Sequence, residues 1–251
     1  MSEVLRIILL AYPDNPVGPV FLRTLLDAGL SVQGLVLEEK PNTANRKRLI
    51  QKIRKDGFSA AFQRIRQMAA LRARGNRIAD LAESRRIPVY SFEDMNSRTC
   101  ADVLETLQPD LLAIASAPIL KERIFNRAKM ACLNPHPGWL PKYRGLGANA
   151  YAIRNGDAPG VTIHAVDAGI DTGRILVREH VPVMQNDTIA KINDRAMARG
   201  AELMAAVIRD IPSRGLKFLD IDEPRGKLYP AMPYRDARML NRRLKKQGDA
   251  A

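Results

Sequence analysis

A chain of 251 residues, 46% of them hydrophobic, can bury one α/β core of ordinary size, and two cysteines exclude a disulfide-stapled scaffold. Three histidines and two cysteines without ligand spacing exclude a recognisable zinc site, so no metal is expected. Forty Lys and Arg against 27 Asp and Glu give a formal charge of +13, which favours anionic substrates or partners.

The opening MSEVLRIILLAYPD has a short apolar run, an early acid and no small-residue cleavage pattern, so it does not read as a secretory signal. No run reaches the ~18 apolar residues a membrane helix needs, and a soluble cytoplasmic protein without a membrane span is expected. Val4–Ala11 reads as a buried strand, Tyr12–Gly18 as a loop, and Val20, Phe21, Leu25 and Leu26 as one helix face closed by Gly29. Val32–Leu37 is the next strand. This opening predicts a doubly wound, mostly parallel α/β sheet. No G-x-G-x-x-G follows the first strand, which gives no support to a dinucleotide site.

Residues 45–84 interrupt the alternation. Leu49, Ile50, Ile53, Ala61, Phe62, Ile65, Met68 and Ala69 recur at helical steps, and the other face is basic. The expectation is a helical insertion packed on the domain. Thirteen Lys and Arg between Arg46 and Arg86 meet only Asp56, Asp80 and Glu83; an anion-binding patch and a solvated helix face are both open readings. The alternation then resumes with a strand at Ile87–Tyr90, a helix from Ser97 to about Leu107, the small-residue strand Leu111–Ser116, a short helix Lys121–Arg127 and a strand Lys129–Leu133. Cys132, in AKMACLN, reads as a buried thiol and not as a nucleophile. Val161–Val166 and Ile175–Val183 are further strands, Thr188–Asp210 a long helix, and the tail Leu216–Ala251 adds at most a strand and a short helix at Tyr234–Lys246. Residues 1–212 are expected to form the catalytic domain and 213–251 a short C-terminal extension.

The chemistry concentrates in Leu133–Gly173. Asn134 and His136 follow a strand, and the C-terminal ends of parallel strands are where ligands bind. A carboxamide can hold an oxyanion, an imidazole exchanges a proton near neutral pH, and a carboxylate such as Asp171 can orient that imidazole. Such a set suits an electrophilic carbonyl attacked by an amine or water. No Ser or Cys adjoins His136, so direct acyl transfer fits better than a covalent acyl-enzyme. Singly, each residue has a plainer reading: a structural histidine, a turn asparagine, an Asx turn. His164 and His180 fall within strand patterns with no evident partner.

NPH at Asn134–His136, GWLPKYRG at Gly138–Gly145 and VDAGIDTG at Val166–Gly173, in this order, resemble the catalytic core of the folate-dependent formyltransferases. The resemblance implies a Rossmann-like fold and 10-formyltetrahydrofolate as formyl donor. It implies that Asn134 holds the formyl oxygen, that His136 stabilises the tetrahedral intermediate and shuttles a proton, and that Asp171 orients His136 and a water. The pterin would lie between Ala117, Pro118, Ile119 and Leu120 on one side and Asp167, Ala168, Gly169, Ile170 and Asp171 on the other, largely against backbone. Two positions depart from the family loop, Gly138 in place of Ser and Trp139 in place of Leu. Trp139 could stack on a sugar or base, or fill a core gap.

The short tail resembles the sugar N-formyltransferases more than the other branches. The implied acceptor is a small-molecule amine, that of a nucleotide-linked amino sugar, met by Gly138, Trp139, Lys142 and Arg144. Alternatives are a methionyl-tRNA formyltransferase-like protein gripping nucleic acid through residues 46–86, a formyltetrahydrofolate hydrolase, and a non-catalytic relative, against which the intact Asn134, His136 and Asp171 argue. A homodimer through the tail is a further expectation.

Overall fold

The computed structural model describes residues 4–39 and 77–247. Among them one sheet runs in the order β3-β2-β1-β4-β5-β6-β7. Its strands are β1 (Ile7–Ala11), β2 (Val32–Glu38), β3 (Val89–Phe92), β4 (Leu111–Ile114), β5 (Ala131–His136), β6 (Gly160–Ala165) and β7 (Ile175–His180). The pairs from β3 to β5 are parallel, whereas β6 and β7 continue the sheet antiparallel. The doubly wound, mostly parallel α/β architecture expected from the sequence is therefore present.

Strand alternation sorts the core into two layers. Ile7, Leu9 and Ala11 face one side with α1 (Val17–Asp27) and α6 (Ile189–Arg214). Ile8, Leu10 and Val36 face the other with α3 (Arg98–Leu107) and the single turn α4 (Glu122–Phe125). β1 is wholly buried because both faces are covered, which is why it reads as a continuous apolar run. The expected N-cap of α3 is present, with Ser97 Oγ accepting the Cys100 amide at 3.2 Å. α6 is likewise capped by Thr188, whose Oγ1 accepts from Lys191 N at 3.3 Å.

Three expectations need correction. Residues 78–84 are not part of an insertion: α2 (Ile78–Ser84) is the crossover helix between β2 and β3, and its buried Ile78 packs on Gly18 of α1. The rest of that expectation, residues 45–76, lies outside the described residues. β5 runs on through Asn134 and Pro135 to His136, because each pairs with β6. The tail contributes one isolated bridge, Arg144 with Leu228, in place of a strand, followed by α7 (Tyr234–Gln247). Its Leu240 and Leu244 are buried, and Asn241 Oδ1 accepts the Ile189 amide at the start of α6.

Between β5 and β6 lie the loop 137–147 and α5 (Ala148–Arg154). The tail crosses this loop. Gly226 N donates to Pro141 O at 2.9 Å and Tyr229 N to Arg144 O at 2.8 Å. Gly145, at φ +87°, has Tyr229 O only 2.4 Å from where a Cβ would sit, so the crossing admits no side chain there.

Candidate active site

Asn134 and His136 alternate with Pro135 on β5 and therefore share the sheet face that carries α3 and α4. Register then matters. Antiparallel pairing sets His164 of β6 opposite Asn134 and Thr162 opposite His136. The turn after β6 returns Asp171 over the same face. At φ +50°, Asp171 adopts the left-handed conformation that Asp tolerates better than most side chains.

These four groups meet. His136 Nε2 lies 2.9 Å from the Tyr143 carbonyl, which can only accept, so Nε2 carries the hydrogen. Its Nδ1 then faces Asp171 Oδ2 at 3.4 Å. Asp171 Oδ2 also accepts the Gly145 amide at 2.8 Å, and Oδ1 lies 3.7 Å from His164 Nε2. His164 Nδ1 donates to the Ala165 carbonyl at 3.0 Å, leaving Nε2 to accept from the Asn134 amide at 3.0 Å. Asn134 Nδ2 has two hydrogens, so its second N–H is left for another acceptor.

Both imidazoles are buried, at 4% and 2% exposure. Burial lowers the His136 pKa, opposed by the Asp171 charge and the Tyr143 carbonyl. Burial, and then His136, lower that of His164 to about 4. Near neutral pH both rings are thus uncharged, and the His136–Asp171 contact becomes an ion pair only when a proton arrives. The arrangement is a proton acceptor, His136 Nδ1, with a carboxylate poised to stabilise the resulting cation.

The three residues singled out in the sequence are brought together, and His164 joins them. The expectation that His164 and His180 lack partners is corrected: His180 stacks on Trp139 with centroids 3.8 Å apart and planes within 6°. Arg178 sits 4.2 Å from the same indole. Trp139, itself partly buried, therefore packs against the β7 side chains His180 and Arg178. Gly138 also has a physical reason: a Cβ there would lie 2.5 Å from His136 Nε2 and 2.5 Å from Ala148 Cβ. Thr162 fixes the adjoining backbone, its Oγ1 donating to Gly138 O at 2.7 Å and accepting from Leu140 N at 3.2 Å. Lys142 pairs with Asp157 at 2.7 Å. Arg144 donates to the carbonyls of Ile170 at 2.9 Å and Gly226 at 3.3 Å, tying the Asp171 turn to the tail.

Ala117 and Leu120 pack in the same apolar cluster as Val166, which leads into the 167–171 turn. One expected slot segment and the strand end that leads into the other thus border the same apolar cluster. Asp167 Oδ1 accepts Gly169 N at 3.0 Å, so that side chain shapes its own turn. Ile119 stands 74% exposed, and its backbone is anchored by Asn96, which donates to Ile119 O at 3.0 Å and accepts from Lys121 N at 2.7 Å. The sequence carried no signal for Asn96. For His164 the signal was there, a β6 residue on the face of the site, but only the pairing register makes it meaningful. Among the described residues no cluster of three or more His, Cys, Asp or Glu could hold a metal, and no helix is long and apolar enough to cross a membrane.

The sheet order, the antiparallel edge and the buried polar set at the end of β5 define the Rossmann-like formyltransferase class of α/β fold. Residues 38–208 match the family model described as formyl transferase, and the chain belongs to that family. Sequence relatives include the methionyl-tRNA formyltransferase of Kosmotoga olearia, 26% identical over 165 residues, covering 65% of this chain and 53% of that protein. That of Hydrogenovibrio crunogenus is 29% identical over 226 residues, covering 89% and 64%. Most of these relatives are thus matched over about half their length. The fold is similar to a sugar N-formyltransferase from Shewanella sp FDAARGOS_354, with 16% identity, 95% and 88% coverage and a TM-score of 0.62. It is also similar to glycinamide ribonucleotide transformylase 1 from Symbiobacterium toebii, with 20% identity, 88% and 96% coverage and a TM-score of 0.59. At these identities the structural likeness concerns the fold.

Proposed function

We propose that this protein transfers a formyl group from 10-formyltetrahydrofolate to the primary amine of a nucleotide-linked amino sugar. The observation that carries the chemistry is the buried contact of His136 Nδ1 with Asp171, 3.4 Å apart, beside an Asn134 amide with one N–H unspent. The acceptor assignment rests on likeness to sugar N-formyltransferases over nearly the whole chain.

The residues present fit a reduced folate. Exposed Ile119 and the backbone of 117–120 would flank one side of the pterin, and the backbone of 167–171 the other, over the apolar cluster of Ala117, Leu120 and Val166. When bound, the folate supplies an electrophilic formyl carbon. Asn134 N–H donates to the formyl oxygen as negative charge grows there. His136 Nδ1 accepts a proton of the attacking amine, and Asp171 stabilises the imidazolium. The proton then passes to the folate nitrogen as its bond to carbon breaks, which balances the transfer. Gly138 and Trp139 shape the wall nearest the acceptor; Lys142, about half exposed, is the cation there most available to a diphosphate.

A second reading, tRNA as acceptor, is favoured by the names of the sequence relatives and by the positive charge. Incubation with 10-formyltetrahydrofolate and a panel of nucleotide-amino sugars, methionyl-tRNA or no acceptor separates the readings by mass spectrometry. A formylated sugar nucleotide supports the proposal. Formyl-methionyl-tRNA alone, or formate released without acceptor, replaces it. His136→Ala is expected to lower turnover by ~10²–10⁴-fold with the fold retained; wild-type turnover in that variant would refute the site.

A further inference from the structure

The His136 ring has two nitrogens, and the proposed chemistry needs one of them, Nδ1, to exchange protons. What commits Nε2 to its hydrogen is the Tyr143 carbonyl at 2.9 Å. The position of that carbonyl is therefore a catalytic variable, and the means by which it is held lie outside the constellation itself. Tyr143 is 2% exposed and packs with Tyr229, centroids 5.4 Å apart, which in turn stacks on Tyr151 at 4.6 Å. Stacking confines the ring but lets it slide. The hydroxyl stops the sliding: it donates to Asp157 Oδ2 and accepts from Asn155 Nδ2 at 3.2 Å. Asp157 is itself fixed, since its amide donates to Ala152 O at 2.9 Å and closes the end of α5. The same carboxylate oxygen takes Lys142 Nζ at 2.7 Å, so two consecutive loop residues are moored to one side chain.

We propose that Asp157 is a positioning residue for His136. Acting through the Tyr143 hydroxyl, it holds the Tyr143 carbonyl against Nε2 and thereby selects Nδ1 as the nitrogen that exchanges protons. The inference rests on the reading of His136 as the proton-carrying group. Its physical basis is leverage. A tyrosine anchored at its far end and at its backbone cannot translate along its ring plane, and a hydrogen bond weakens steeply with misalignment. If the tether is lost, the carbonyl drifts and the Nδ1–H tautomer, donating to Asp171, competes. That form has no lone pair on the nitrogen facing the carboxylate, and its free Nε2 points into the loop toward Gly138, where a Cβ would find it at 2.5 Å.

Asp157→Ala and Tyr143→Phe test this, because each removes one end of the hydroxyl tether and Asp157 lies at the surface, where lost volume costs little. The tautomer of His136 is read by ¹⁵N NMR of the imidazole in the full chain without substrates, and kcat and KM are read with the formyl donor and the acceptor found above. Expected are a dominant Nε2–H form in the wild type, a measurable Nδ1–H fraction in each variant, and a kcat about 10-fold lower, with KM changed less than about twofold in Tyr143→Phe, which leaves the Lys142–Asp157 pair in place. That loss is smaller than the ~10²-fold a 1 Å misplacement can cost. The double variant should be no worse than the poorer single one, because both cut one tether, and Asp157→Glu should restore part of the loss. Wild-type tautomer and kcat in Asp157→Ala, or losses that multiply in the double variant, overturn the proposal. The two readings fail separately. A tautomer that follows Asp157 in a protein with no formyl transfer would sink the function and keep the tether. Turnover with a tautomer indifferent to Asp157 would do the reverse.

Discussion

The parallel half of the sheet, β3 to β4, and the antiparallel half, β5 to β7, solve different problems. In the parallel half, β1 and β4 are buried at every position, and the clusters that cover both faces are apolar. In the antiparallel half one face is aliphatic, with Leu133, Val161 and Ile163 against α6, and the other buries His136, Thr162 and His164. Every buried side-chain nitrogen and oxygen among the described residues has a hydrogen-bond partner. Antiparallel pairing is what makes this possible: β6 runs back along β5 from His136 to Leu133, and the 137–147 loop and the 167–173 turn meet over the same face, where Gly145 N donates to Asp171 Oδ2. The lesson is that the parallel half supplies stability and a fixed platform, and the antiparallel half spends some of that stability on desolvated polar groups.

Variants in each half should therefore fail differently. The largest expected loss is from Leu9→Ala in β1, at 0% exposure, about 2–5 kcal/mol by chemical denaturation, with kcat of the folded fraction unchanged. A parallel-half cavity that altered kcat without altering stability would break the contrast. His164→Gln is expected to cost roughly 10-fold in kcat, about 1.4 kcal/mol in the barrier. The reason is that Gln can offer the Asn134 amide an acceptor oxygen, but not on a rigid ring fixed by a second bond, that of Nδ1 to the Ala165 carbonyl at 3.0 Å.

The pH dependence follows from sign. Burial, then the neighbouring His136, depress the His164 pKa from 6.5 to about 4, so the folded state favours the neutral ring. Its contribution to stability is complete above about 6.5 and is lost progressively as pH falls toward about 4. Between pH 7 and pH 5 the wild-type denaturation midpoint should drop, and His164→Gln should drop less; equal slopes would show that His164 carries no such linkage. The smallest effect is Ser97→Ala, which removes the cap of α3, bonded at 3.2 Å, and should cost about 1 kcal/mol with no change in kcat.

The sequence alone determined the strands of the parallel half, though not the crossover helix α2, which it joined to an insertion. Runs such as Ile7–Ala11 and Leu111–Ile114 can only be buried on both faces, and Ser97 and Thr188 announce helix starts by their hydroxyls. It also supplied Asn134, His136 and Asp171, because together with the loop between them they form a pattern specific to one family. Tertiary structure decided what those residues touch. His164 belongs to the site through a register that sets it opposite Asn134, 30 residues away, and a shift of one residue would have turned it to the α6 face. Trp139 is claimed by His180, Lys142 by Asp157, and Arg144 by carbonyls at Ile170 and Gly226. A side chain's type fixes what it can bond. Which partner it finds depends on distances between segments far apart in sequence, and the chain sets those only when it packs.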